Sequence, residues 1–354
     1  MSRNLTVLVL GVGGTVSQGI LKALDLMAPR PRVVGACVSH LSAGLYTTDR
    51  AYVSPYAADP DFPTWLEDIC RREEVDAVLS GVEPVLDVLA AHVDELRERT
   101  GAIAVVSAPS CLTIGQDKLE TACWLADQGL NAPRSADAGD TAEVDRLVDA
   151  LGYPLIAKPR LGKAAQGVME IRTDAELAYA RQRPGYVVQE SLGDPGGEYT
   201  VACFSDIDGQ LRGTFSMHRE LAEGTTYRAR VGEYPEVTAE ARRIAAALKP
   251  AGPANVQLRL VDGRPVCFEI NVRFSGTAPI RARLGFNDVE AALRQFVLGE
   301  EAVDLPLITA GPVALRYWNE LYVDPQAAGA LERDGRLDDP AAHPLAIEDY
   351  GIRE

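Results

Sequence analysis

Hydrophobic positions in the first hundred residues come in short blocks separated by glycine and polar turns. Leu5 to Leu10, Arg32 to Val38, Asp76 to Ser80 and Ile103 to Val106 read as strands. Val16 to Leu26, Phe62 to Arg72 and Val85 to Arg99 carry the wider spacing of helices. Strand alternating with helix is the pattern of a doubly wound parallel sheet, whose ligands sit at the carboxyl ends of the strands.

Beyond Ala108 the rhythm changes. Helical stretches Lys118 to Gln128 and Ala142 to Leu151 lead into the strand "YPLIAKP", the loop "RLGKAAQG", the strand "VMEIR", a helix from Ala175 to Arg181 and the strand "YVVQE". From Glu198 the strands are longer and antiparallel in pattern, interrupted by a helix from Ala239 to Leu248. The last fifty residues hold one convincing strand, "PVALRYW", and a polar, acidic tail. An α/β region followed by an α+β region is the expected fold class.

The segment "NVQLRLVDGRPVCFEIN", Asn255 to Asn271, reads as a hairpin around Asp262-Gly263. With a three-residue loop ending at Arg264, Val256, Leu258 and Leu260 oppose Ile270, Phe268 and Val266 as one apolar face. The other face then sets Gln257 opposite Glu269 and Asn255 opposite Asn271, beside Arg259 and ahead of Arg273. One carboxylate among amide oxygens is a hard donor set, of the kind that holds Mg²⁺ jointly with phosphate oxygens and water.

Two lysines add candidate phosphate chemistry. Lys158 ends the apolar strand containing Leu155, Ile156 and Ala157, and a small-residue loop with Gly162, Lys163 and Gly167 follows it. A lysine beside such a loop can neutralise phosphate charge while backbone amides close over it. Lys118 opens a helix some forty residues earlier. The strand containing Gln189 and Glu190, with Leu192 after it and Glu198 beyond, has the pattern of a hinge that reads an adenine edge and the ribose hydroxyls.

Composition narrows the function classes. The chain of 354 residues, 47% hydrophobic, is long enough for two or three domains with real cores, and its formal charge of −16 argues against a nucleic-acid partner. No apolar run approaches the ~20 residues of a membrane span, and no signal peptide is seen. Six scattered cysteines read as free thiols of a cytoplasmic protein, and four widely spaced histidines give no zinc pattern. A small-molecule substrate fits best.

The ordered set Asp117-Lys118, Lys158 with its loop, Gln189-Glu190, Gly197-Glu198, Gln257 and Glu269-Ile-Asn271-Val-Arg273 resembles the ATP-grasp superfamily. It is similar in particular to the synthetase domains of carbamoyl-phosphate synthase large subunits and to small amino-acid ligases. The resemblance covers Leu5 to Gly299 and implies a Rossmann-like pre-ATP-grasp domain (1–108), a lid subdomain (109–191), a large subdomain with the metal site (192–310) and a C-terminal segment (311–354). It implies ATP and Mg²⁺ as cofactors. Lys118 and Lys158 would hold the phosphates under the loop Gly162 to Gly167, including Lys163; Gln189, Glu190 and Leu192 would border adenine, and Glu198 the ribose. Glu269, Asn271 and Gln257 would hold Mg²⁺, while Arg273, with Lys158 and Asn271, would stabilise the transferring phosphoryl group. The chain departs from the usual pattern in its glycine-poor loop, in Val272 where proline is common, and in Gln257 where glutamate is common.

The implied reaction joins a carboxylate to an amine through an acylphosphate, with amino-acid-like substrates and release of ADP and phosphate. Alternatives are a carbamoyl-phosphate-type or other acylphosphate-forming synthetase, a nonenzymatic nucleotide-binding protein and an NAD oxidoreductase. A homodimer is compatible with all of them. The oxidoreductase reading comes from "GVGGTVSQG", but the third glycine of a GxGxxG falls on Val16, and Val38-Ser39-His40 stands where a ribose-binding acid is required. Freed from a cofactor role, Gly13, Gly14, Thr15, Ser17 and Gln18 become substrate candidates, with Glu83 from "SGVEP". Arg219, Arg281 and Arg283 complete the expected substrate set.

Overall fold

The computed structural model describes residues 4–348 apart from 163–165, 194–196, 302 and 304. Among the described residues it holds four sheets, three of four to six strands and one two-stranded pair. In the first, Arg50–Val53, Arg32–Cys37, Thr6–Leu10, Ala77–Ser80 and Ile103–Ala104 run parallel in that order. Leu8, Val34 and Val78 face one core and Val7, Val9 and Leu79 the other, so the sheet is buried on both faces.

The expected helix Val85 to Arg99 is two, Glu83–Ala91 and Val93–Thr100, broken where His92 leaves helical geometry. Strand Arg50–Val53 has no counterpart in the sequence reading. It is four residues long behind a polar run, too short for periodicity to register.

The second sheet is small and antiparallel, in the order Ser135–Asp137, Tyr186–Glu190, Leu155–Pro159, Met169–Ile171. Its apolar side, including Leu155, Ala157 and Val188, forms a core of its own with Val144 and Leu147 of helix Thr141–Leu151 and Leu177 of helix Asp174–Arg181. The third sheet runs Arg264–Asn271, Gly252–Val261, Glu198–Ser205, Leu211–Ala222, Thr225–Gly232, Ala310–Leu315. Helix Pro235–Leu248 packs against it through Val237, Ala241 and Ile244, in the same core as Val201, Cys203 and Val256. Ala202, Phe204, Phe215 and Met217 lie in a second core, with Phe274, Phe286 and helix Thr15–Leu24 of the first sheet. At Gly19 a Cβ would sit 3.1 Å from Pro279, so glycine lets that helix and Ala278–Arg283 meet closely.

The hairpin departs from its expected loop. Asp262 and Gly263, with φ of 50° and 76°, form a two-residue turn closed by the Val261–Arg264 pair. The pairs Gln257–Glu269, Val256–Ile270 and Asn255–Asn271 nevertheless form, because a bulge inserts Phe268 between them and the Leu258–Cys267 pair. The Asp-Gly turn sets one register and the buried apolar face another; the bulge reconciles them.

The C-terminal region is also more structured than a polar tail. Strands Glu320–Val323 and Pro344–Glu348 pair with each other. Helix Pro325–Asp334 buries Ala327 and Leu331, and strand Arg336–Asp338 adds antiparallel to the free edge of the first sheet, against Arg50–Val53.

Candidate functional site

Between the small and large sheets lies a cleft of about 260 Å³. Alternation in Leu155–Pro159 buries Leu155 and Ala157 in the small core and sends Ile156 and Lys158 to the cleft. The Lys158 ammonium is buried, which pushes its pKa down to about 8; Glu269 partly opposes that shift, while Lys118 and Arg259 add to it. Lys118 donates from Nζ to the carbonyl of Gly162 at 2.9 Å and to that of Arg160 at 3.4 Å, tying it to the loop. Asp117 caps its helix at the amides of Leu119 and Glu120 and takes the Arg160 guanidinium at 2.8 to 3.1 Å. Lys163 lies outside the described residues, whereas Gly162 and Gly167 have φ of 138° and 74°, a region that favours glycine.

Gln189, Glu190 and Leu192 border the same cleft. Gln189 donates to Ser135 Oγ at 2.8 Å, and the Glu190 carboxylate accepts from the Arg134 amide at 3.1 Å. Phe268, delivered by the bulge, lies against both Lys158 (5.9 Å to the ring centre) and Arg259 (5.4 Å). Sequence reading had assigned Phe268 to the core; the strong two-residue preference of Asp-Gly was the signal that it would be displaced.

From the cleft a continuous polar chain runs along the large sheet. Glu198 accepts from Arg219 Nε at 2.9 Å and from Arg259 at 3.3 Å. Arg219 also donates to the Gln257 side-chain oxygen at 2.6 Å and to Thr226 at 3.3 Å. Glu269 Oε1 accepts from Gln257 at 3.2 Å and from Asn271 at 2.8 Å. Arg273 closes the chain, donating to Asn271 Oδ1 at 2.6 Å and to Glu83 at 3.0 Å. Arg219, expected among the substrate residues, thus lies in this cleft.

The set suits Mg²⁺. Glu269 supplies a carboxylate; the amide nitrogens of Gln257 and Asn271 face its Oε1 while their oxygens accept from Arg219 and Arg273, so either amide would have to turn to ligate the ion beside Glu269. No group of three or more His, Cys, Asp or Glu residues that could hold a metal occurs among the described residues. A magnesium ion shared with phosphates needs only one or two protein oxygens.

Two expected substrate residues are corrected. Arg281 is fully buried, donating to both Asp288 oxygens at 3.0 and 2.7 Å and to Ser275 and Thr277. Its hydrogen-bonding capacity is spent inside the fold. Ser17 is buried too, donating to the Leu10 carbonyl at 2.8 Å and accepting from the Gly81 amide at 3.1 Å. It pins two strand ends together. Gly13 and Gly14 lie in the turn after the first strand, and Arg283 is exposed. A Cβ at Gly14 would meet only the Gly11 carbonyl, at 3.5 Å, whereas one at Gly13 would strike Ser42 at 2.7 Å. Among the described residues no helix is long and apolar enough to cross a membrane.

Residues 182–313 match the family described as ATP-grasp in the biosynthetic pathway with Ter operon, and residues 7–105 match the PylC-like N-terminal domain. A carbamoyl phosphate synthase large chain from Halobacterium salinarum is 26% identical over 285 residues, covering 73% of this chain and 26% of that protein. A formate-dependent phosphoribosylglycinamide formyltransferase from Synechococcus sp. is 25% identical over 156 residues, 42% of this chain and 39% of its own length. The chain thus spans well under half the length of these curated relatives. N5-carboxyaminoimidazole synthetase from Staphylococcus aureus, complexed with ADP, superposes with a TM-score of 0.68 at 16% identity, covering 94% of this chain and 86% of that one. The L-amino acid ligase from Bacillus licheniformis gives 0.61 at 19% identity, covering 86% and 76%. The chain has the ATP-grasp fold, with a PylC-like N-terminal domain ahead of it.

Proposed function

We propose that the chain is an ATP-dependent, ADP-forming ligase that joins a carboxylate to an amine, with amino-acid-like substrates. The observation that carries this reading is one cleft with two complementary walls. Lys118 and Lys158 stand on the small-sheet side, and Gln257, Glu269 and Asn271 on the large-sheet side. ATP would lie between them, with its phosphates toward the lysines and Glu198 near the ribose. Glu269 and Asn271 would hold Mg²⁺ with help from Gln257; the ion would supply charge neutralisation on the phosphates.

Arg273 lies where this cleft meets Glu83 of the N-terminal domain. A substrate carboxylate there would attack the γ-phosphorus, releasing ADP and leaving an acylphosphate. The amine would then attack the acyl carbon, lose a proton and expel phosphate. Such transfer asks the protein for positioning and electrostatic stabilisation rather than a covalent nucleophile. The buried cysteines fit that requirement, since burial pushes the thiols of Cys70 and Cys203 up to about 12.

The test is a pairwise screen of amino acids for phosphate release from MgATP. Amine-dependent release of ADP and phosphate is the expected outcome. Release of AMP and pyrophosphate, or ADP formation indifferent to any amine, would overturn the reading.

A further inference from the structure

Arg316 was no part of the sequence-derived site. It follows strand Ala310–Leu315, in which Ala314 packs into the core shared with Ala229 and Met217. Two residues on, Arg316 lies on the same face of the sheet, anchored by its own amide to the Tyr227 carbonyl at 3.0 Å. Its guanidinium donates to the Gly276 carbonyl. Arg273 donates to the Phe274 carbonyl at 3.1 Å, two residues earlier, so two guanidiniums hold the carbonyls of Phe274 and Gly276.

Their electrostatic situations differ. Arg273 is paired with Glu83, whereas Arg316 has no carboxylate partner among the described residues. Partial burial pulls its pKa below the ordinary range, with no acid to offset the loss of water. A Cβ at Gly276 would be in ordinary contact with Arg316 and with the Thr15 hydroxyl, 3.9 Å from each, so the two side chains approach the same point. Thr15 opens helix Thr15–Leu24, whose first turn carries no acid. A desolvated cation and a hydroxyl donor therefore meet beside Gly276, with no carboxylate paired to the cation among the described residues.

We propose that Arg316 and Thr15 bind a substrate carboxylate that the reaction leaves free, as on an amino acid supplying the amine. This rests on the ligase reading and deepens it. Arg273 and the metal ligands serve the reacting group, and Arg316, beside Gly276, holds the spectator carboxylate. Guanidinium recognition of a carboxylate is charge-assisted and directional, so the uncharged carboxamide of the same amino acid is a poor substitute.

The experiment is a thermal shift of the full chain, saturated with MgADP, against the twenty L-amino acids and their carboxamides. At least one amino acid should raise the melting temperature of the wild type while its carboxamide does not. Arg316→Met should lose that rise and Arg316→Lys keep part of it, with the MgADP shift equal in all three proteins. The proposal is overturned if carboxamides stabilise as well as acids, if Arg316→Met keeps the full rise, or if no amino acid stabilises the wild type. Should MgADP itself fail to stabilise the wild type, the nucleotide reading falls and takes the proposal with it.

Discussion

The cleft between the small and large sheets and the region around the glycine turn both carry polar side chains, yet they differ in how those side chains are used. In the cleft, Lys158, Gln257, Glu269 and Asn271 project from regular strands whose opposite faces are packed in cores, so alternation fixes where they point. Around the glycine turn, Ser17 and Arg281 are consumed by the fold, one pinning strand ends and the other locked to Asp288. Polar residues opposite a buried face are constrained to be available. Polar residues at helix starts and in short helices are as readily structural.

Glu269 tests the cleft side most severely. With Mg²⁺ held chiefly by this carboxylate, Glu269→Ala should lower phosphate release about 1000-fold, while circular dichroism of the variant matches the wild type. Next is Arg281→Ala, expected to destabilise by about 3–5 kcal/mol because it leaves Asp288 buried and unpaired. Denaturant unfolding measures this, and a variant of wild-type stability with a raised substrate KM would return Arg281 to the substrate side.

Lys158 separates function from stability. Its folded pKa of about 8 lies below that of an unfolded lysine, so its burial costs stability at neutral pH, and the cost is recovered as pH rises from there toward the ordinary lysine range. Lys158→Met should therefore abolish tight MgADP binding while leaving the neutral-pH melting temperature unchanged or higher. In the wild type the Kd for MgADP should climb above pH about 8 as the ammonium is lost, and Lys158→Arg should flatten that climb in titration calorimetry. Ser17→Ala removes one buried donor and strands the Gly81 amide, a loss of about 1 kcal/mol. At the small end, Arg283→Ala should stay within about 0.5 kcal/mol, and the contrast with Arg281 two positions earlier isolates the effect of burial.

Much of the fold was legible because its elements are long or strongly periodic. The parallel strands, the helix Phe62–Arg72 and the antiparallel run from Glu198 appear where the hydrophobic pattern puts them. Strands Arg50–Val53, Ser135–Asp137 and Arg336–Asp338 escaped because they are short and sit among polar and charged residues, without the apolar run that marks the equally short Ala77–Ser80. The hairpin shows the same limit more finely. Apolar matching predicted the Gln257–Glu269 pair, but not the competition between turn geometry and core packing that expels Phe268 toward Lys158. Arg316 escaped for a third reason: its meaning depends on a turn forty residues earlier in the chain.

Strand Arg336–Asp338 also bears on how the protein is made. It covers the edge of Arg50–Val53, and Asp338 pairs with Arg50 across 288 positions of sequence. During synthesis the first sheet can assemble its parallel strands early, but that edge stays open until Arg336–Asp338 has left the ribosome. An uncovered edge is a template for pairing with other chains. Closing so long a loop adds little entropy cost over a shorter one, since the penalty grows only with the logarithm of its length. Ribosome-bound nascent chains stopped before Arg336 should therefore be the most prone to associate through the N-terminal sheet, and emergence of Arg336–Asp338 is what ends that exposure.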